Sequence, residues 1–233
     1  MISPVSGVIL LSSGKARPVS LYRLQDVKKG RVMHRRTFLG TGLAAFAVAK
    51  PAFAAQLSLN AISGYLNGIV TARSPFTQVN DDGTLATGTL YIRRPGRMRF
   101  EYDPPNDLLV MAGGGQVGIF DGKSNVGTAE RYPLRRTPLN LILERNVDLA
   151  QRNMVVGHDF DGTATVVTAQ DPEHPEYGSI ALKFTDGPIE LRQWVIRDGQ
   201  GAVTTVILGG LKQGDPIPAR LFDINREETN RAG

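Results

Sequence analysis

Short runs of alternating apolar and polar residues, cut apart by turn-forming clusters, constrain this chain more than any other feature. Beyond residue 76 the turn signals are Asp81-Asp82-Gly83, Pro104-Pro105-Asn106-Asp107, Gly113-Gly114-Gly115, Asp121-Gly122, Asp161-Gly162, Asp186-Gly187-Pro188 and Asp198-Gly199. The intervening segments are too short for helices and carry a period of two, so strands are expected at 84–93, 97–102, 108–111, 117–120, 154–160, 163–169, 179–185, 189–197 and 202–208, with a further candidate at 220–224. Ile180, Leu182 and Phe184 share one face and Lys183 the other; Met98, Phe100 and Tyr102 oppose Arg97, Arg99, Glu101 and Asp103. An antiparallel sheet with one dry face must cover it.

Only two segments carry helical spacing. In 56–72, Leu59, Ile62, Leu66 and Ile69/Val70 form one apolar stripe, which Ser74-Pro75 is expected to end. In 137–144, Thr137 is placed to cap and Pro138 to open a short helix. The expected class is α+β, mainly β: either a sheet curled around helices as a partial barrel, or one with helices laid across a side. With 41% hydrophobic and 21% charged residues, the composition supplies an ordinary globular core.

The beginning of the chain reads as a leader. Met33-His34-Arg35-Arg36-Thr37-Phe38-Leu39 precedes the apolar run Leu43-Ala44-Ala45-Phe46-Ala47-Val48-Ala49, and Ala52-Phe53-Ala54 supplies a small-x-small cleavage site. The run falls well short of the ~20 residues that span a bilayer core, so it reads as a signal, not an anchor. Arg35-Arg36 with Phe38-Leu39 resembles a twin-arginine export signal, with an ordinary Sec signal as the alternative. The expected organisation is therefore 1–32 an upstream over-call or unstructured extension, 33–54 the signal peptide, and 55–233 one domain that is soluble after cleavage near Ala54. Nine of the 27 basic residues and one of the 22 acidic ones lie in 1–54, leaving 18 basic and 21 acidic residues beyond. A domain with that balance lacks the basic footprint that nucleic acid requires.

Catalytic groups are sparse. The chain has no cysteine and three histidines, His34 in the leader and His158 and His174 beside turn signals. Neither a triad nor a His-rich metal site is readable from them. Glu173/Glu176 and Asp159/Asp161 read as solvated loop carboxylates. Gly113-Gly114-Gly115 lies between strands rather than before a helix, so it reads as a hairpin and not as a phosphate cradle. Leu90, Ile92 and Arg94 have the same parity, which either turns Arg94 toward the apolar side or, if Pro95 breaks the strand, releases it into water.

An ordered set of short motifs resembles the outer-membrane lipoprotein carrier proteins (LolA-like). It comprises Phe76-Thr77-Gln78, Gly88-x-Leu90, Arg94-Pro95-Gly96-Arg97-Met98-Arg99-Phe100-Glu101-Tyr102, Pro105 and Phe120-Asp121. Thr137-Pro138-Leu139 with Leu141-Ile142-Leu143 then matches the covering helix, and Trp194, Asp198, Gly201, Thr204 and Leu221-Phe222 the closing strands. Two departures stand out: Val117-Gly118-Ile119-Phe120 lacks the family's common tryptophan, and Gly113-Gly114-Gly115-Gln116 replaces its "DGK" turn.

The resemblance implies an incomplete, curved antiparallel barrel closed by covering helices around an apolar cavity for lipoprotein acyl chains. It implies a periplasmic monomer without cofactor or enzymatic activity, which takes cargo from an inner-membrane lipoprotein release complex and passes it to an outer-membrane receptor. Arg94 would latch the cover. Leu90 and Ile92, then Met98, Phe100 and Tyr102, would line the cavity on one side. Ile180, Leu182 and Phe184 would face them, with Phe120 and, from the covering helix, Leu141. At ~0.8 kcal/mol per methylene, an acyl chain of about sixteen carbons forfeits on the order of 10 kcal/mol in water, which only an apolar cavity can offset. Two readings of other classes are a periplasmic lipid-binding sensor of the same fold and a twin-arginine-exported hydrolase; the second lacks a nucleophile and metal ligands.

Overall fold

The computed structural model describes residues 55–123, 127–151 and 153–232. The expected leader, with Arg35, Arg36, Ala52, Ala54 and the boundaries at 32 and 54, lies outside them. The described chain begins with α1 (Leu59–Gly68) and continues through β1 (Thr71–Val79), β2 (Leu85–Arg93), β3 (Arg97–Tyr102), β4 (Leu108–Gly113), β5 (Gln116–Asp121) and β6 (Glu130–Pro133). A short helix α2 (Asn140–Leu143) precedes β7 (Val155–Phe160), β8 (Ala164–Gln170), β9 (Ser179–Thr185), β10 (Glu190–Arg197), β11 (Val203–Leu208), β12 (Lys212–Gln213) and the terminal α3 (Ile224–Ala232).

The strands form one sheet ordered β6-β5-β4-β3-β2-β1-β11-β10-β9-β8-β7, with β12 beside β1. All its pairings are antiparallel. Phe100 on β3 and Trp194 on β10 are four strands apart in that order, about 19 Å across a flat sheet at ~4.8 Å per strand. Their ring centroids are 6.1 Å apart. The sheet is therefore strongly curled. It is not closed: β6 and β7, consecutive in sequence, are its two free ends. The segment joining them carries α2, and Leu134, Ile142, Leu143, Val147 and Leu149 from this segment belong to the same core as the strands. This is the partial barrel of the two architectures open to the sequence.

Several boundaries differ from expectation. α1 starts at Leu59, capped by Ser58 Oγ accepting from Ala61 N (3.2 Å), and stops at Gly68. Ile62, Leu66 and Ile69 are buried, but Val70 is 66% exposed and already leads into β1. Ser74-Pro75 does not end the helix; it sits inside β1. The missing N–H of Pro75 is tolerated because β11 stops at Leu208, paired with Phe76, while Pro75 O still accepts from Gly209 N (2.9 Å). The candidate strand at 220–224 is instead a 3-10 turn, Ala219–Phe222, followed by α3.

α3 covers the outer face of β3 to β5, where a second apolar cluster gathers Leu109, Met111, Phe120 and Ile224. Arg99 on β3 reaches Glu227 (3.2 Å), Arg131 on β6 reaches Glu228 (2.7 Å), and Arg231 lies 4.9 Å over the Phe120 ring. Gly118 leaves the space: a Cβ there would stand 3.0 Å from Ile224. Phe120 is consequently not an interior residue. Val117 and Ile119 take the inward positions of β5, and alternation sends Phe120 outward under α3.

Candidate functional site

The interior of the barrel is apolar and runs between two turns. Near the β2–β3 turn one row holds Ala72, Ile92, Met98 and Ala112; the next holds Leu90, Phe100 and Val110 beside Ser74. Ile180, Leu182 and Phe184 project inward from β9 and are at most 1% exposed. Leu141, on α2, is half-buried against the same core. Tyr102 is also half-buried, its hydroxyl donating to Gln78 Oε1 (2.7 Å), and burial pushes its phenol above the usual tyrosine range. Phe76 meets Phe100 and Tyr102 edge to face at 5.3 and 5.2 Å. Gly88 permits that packing, since a Cβ would stand 2.8 Å from Phe76 Cε1 and 2.1 Å from Glu101 O. Trp194 is fully buried and its Nε1 has no partner among the described residues.

α1 and α2 lie over this interior, and neither is stable by itself. A helix of one turn recovers too few hydrogen bonds to offset its nucleation. α2 opens on three-residue turns, Asn140 N to Thr137 O (3.1 Å) and Leu141 N to Pro138 O (3.2 Å). Thr137 does not cap it, because its hydroxyl donates back to Leu134 O (2.8 Å). What holds α2 comes from elsewhere: Ile142 and Leu143 are buried, and Gly96 N donates to Leu143 O (2.8 Å).

Arg94 sits where these elements meet. Its backbone N donates to Val70 O (2.9 Å), continuing the β1–β2 ladder past Arg93, so its side chain keeps the inward parity of Leu90 and Ile92. Nη1 donates to Leu66 O at the end of α1, and Nη2 to Glu144 O just beyond α2 and to Asn67 Oδ1 (3.2 Å). These carbonyls stand at helix ends, where a cation is also favoured by the peptide dipoles. Nε is buried without a partner among the described residues. Burial pulls the guanidinium below the ordinary arginine value, and the Glu144 carboxylate partly offsets this.

Two side chains absent from the sequence reading complete the junction. Asn67 Nδ2 donates to Val147 O and its Oδ1 accepts from Val147 N, both at 2.9 Å. Ser63 Oγ accepts from Leu149 N (3.0 Å). The i, i+4 spacing of Ser63 and Asn67 puts both on one side of α1, but their partners are backbone groups some eighty residues on. Asn67→Ala orphans both Val147 groups. Faster amide exchange at Val147 by about tenfold is expected, with a stability loss of about 1–2 kcal/mol. Unchanged exchange would mean that Asn67 does not hold this segment.

The other polar candidates are dispersed. His158 Nε2 bonds Leu57 O (2.8 Å), tying the approach to α1 onto β7. His174 pairs with Glu176 (3.0 Å) and stacks on Tyr177. Asp161, bonded to Lys183 (2.7 Å) and Thr163, is held well below the usual carboxylate range by these partners. Gly114 and Gly115, both at positive φ, form the two-residue β4–β5 turn. Among the described residues no group of three or more His, Asp or Glu could hold a metal ion, and no helix is long and apolar enough to cross a membrane.

The chain is 28% identical over 192 residues to an outer-membrane lipoprotein carrier protein of Cupriavidus necator, covering 77% of this chain and 88% of that one. A protein of the same name from Azotobacter vinelandii is 25% identical over 192 residues, covering 79% and 91%. Among solved structures, a LolA superfamily protein of Nitrosomonas europaea aligns over 73% of this chain and 99% of its own at 11% identity, with a TM-score of 0.40. The sequence model described as outer membrane lipoprotein carrier protein LolA matches residues 67–225. That match runs from Asn67 at the end of α1, through Arg94 and the whole sheet, to the first residues of α3, and so the chain belongs to the LolA family.

Proposed function

We infer that this protein carries lipoproteins across the periplasm, sheltering their acyl chains in the barrel interior between the inner and outer membranes. It would act after cleavage near Ala54, as a monomer, receiving cargo from an inner-membrane release complex and surrendering it to an outer-membrane receptor. Family membership supports the carrier role in general terms. The observation that carries the specific reading is the Arg94 junction: the two segments over an apolar interior are fastened to each other and to the sheet through a few polar bonds at one corner. Burying an acyl chain returns on the order of 10 kcal/mol, enough to offset several such bonds, so cargo can open the cover and cover closure can help expel cargo. Such a cycle consists of binding and release alone.

The test is complex formation between the protein purified from periplasm and an acylated lipoprotein peptide, with the unacylated peptide as control. Mass spectrometry should find a one-to-one complex with the acylated peptide only, and a mature N-terminus immediately after Ala54. Equal binding of both peptides, or of neither, would overturn the carrier reading; an uncleaved leader would overturn the export assignment.

A further inference from the structure

At the end of the interior away from Arg94, a directed hydrogen-bond chain runs from β3 over β2 to β1 and on into the β1–β2 turn. Tyr102 O–H donates to Gln78 Oε1 (2.7 Å), Gln78 Nε2 to Asn80 Oδ1 (2.7 Å), Asn80 Nδ2 to Thr84 Oγ1 (2.8 Å), and Thr84 O–H to Asp82 Oδ1 (2.6 Å). Gln78 is 2% exposed and continues the inward face of Ala72, Ser74 and Phe76. A buried glutamine on the dry face of a sheet costs stability unless its amide is paired, and here both its oxygen and its nitrogen are. The chain ends on a solvated carboxylate in the β1–β2 turn, and successive bonds of one direction polarise one another. The Phe76 ring, two residues before Gln78 on β1, meets the rings of Phe100 and Tyr102 edge to face.

We propose that the Tyr102–Gln78–Asn80–Thr84 chain is the floor of the acyl-binding interior and sets the longest acyl chain that the protein accepts. The proposal rests on the carrier reading. Gln78 lies six residues along β1 from Ala72, which is in the row nearest Arg94. At ~3.3 Å per residue that is about 20 Å, or about 15 Å of depth at the strand tilt of ~40° usual in barrels. Half of a ~30 Å bilayer core, the reach of one membrane acyl chain, is also ~15 Å. An aliphatic floor would yield to a longer chain by changing rotamers. This floor resists that, because moving Gln78 or Asn80, the two buried members, strands a donor or acceptor of the other.

The experiment compares the mature protein with the double variant Gln78→Leu/Tyr102→Phe, using saturated fatty acids of increasing length to displace an apolar dye. Replacing both partners of the first bond by apolar groups leaves neither of them unpaired, and only Asn80 Oδ1, which accepts from Gln78 Nε2, loses a partner. For the unaltered protein, affinity should rise by about fourfold per methylene and then stop at a limiting length. In the double variant the rise should continue to longer chains. If the double variant does not fold, Tyr102→Phe alone should move the limit in the same direction by less. The same limit in a folded variant would overturn the floor while leaving the carrier intact. Failure of the unaltered protein to bind any fatty acid would instead overturn the carrier reading, and the floor with it.

Discussion

Arg94→Leu is expected to leave loading with acylated cargo intact and to lower transfer to a receptor on the order of thirtyfold. The guanidinium's bonds to Leu66 O, Glu144 O and Asn67 Oδ1 join α1 to the end of α2. Hydrogen bonds from a charged donor are worth roughly 1.5–3 kcal/mol each, but this corner is partly solvated, so a net loss of about 2 kcal/mol is the working figure. If these bonds form only in the closed, empty state, the loss falls on that state alone, and about 2 kcal/mol is a thirtyfold shift toward open. Cargo then competes with a weaker closed state, which tightens binding and slows release by the same factor. Lysine at 94 presents a point charge that cannot reach both carbonyls as a planar fork does, so Arg94→Lys should fall between the two. Loading and transfer are assayed separately with protein whose melting confirms the fold. Equal transfer by the unaltered protein and Arg94→Leu would remove the latch and leave the carrier standing.

Leu182→Glu should lower the melting temperature by about 10–20 °C and abolish apolar-dye binding. Leu182 is 1% exposed, paired on the sheet between Val167 and Trp194, and surrounded by the interior cluster. A carboxylate there would stand among apolar side chains, and uncompensated buried charge belongs to the few single changes costing about 4–5 kcal/mol. In a domain of this size each kcal/mol shifts melting by ~2–4 °C. The loss depends on pH in a definite sense. Burial raises the new group's folded pKa above its unfolded value near ~4.3, so the folded state binds more protons and stability falls as pH rises through that window. The deficit should shrink toward pH ~4 and grow toward neutrality. Leu182→Met, which conserves volume, should cost under ~1.5 kcal/mol with no such pH dependence. Scanning calorimetry at both pH values decides it; a pH-independent loss matching that of Leu182→Met would place Leu182 outside the dry interior.

How much was legible varies element by element. β3 and β9 have the bounds that their alternation predicts, because one face of each meets the core and the other meets water or charged partners. β4 is buried on both faces, so no pattern in Leu108–Gly113 could tell inward from outward, and the same ambiguity misplaced Phe120 on β5. The cause is α3, whose sequence INREETNRA is almost wholly polar and announces neither a helix nor a docking face. Its anchors are Ile224 and three ion-paired side chains whose partners lie on β3 and β6, at Asp107 just before β4, or within α3 itself. β1 was missed altogether: its first two residues fell in the helix expected over 56–72, and Ser74-Pro75 is a breaker locally that only the end of β11 beside Pro75 makes harmless.

The sequence by itself determined the turn positions, the strand alternation and the ordered motifs that identify the family. Each of these is written in residues close together along the chain, where φ/ψ preference and side-chain parity act. The tertiary structure alone decided which apolar residues share the interior, that Asn67 and Ser63 hold a segment some eighty residues away, that the parity of Arg94 ends on two helix carbonyls, and that Gln78 and Tyr102 meet over the intervening strand β2. Those contacts join groups far apart in sequence, and their partners are mostly backbone atoms, which every residue possesses and no composition distinguishes.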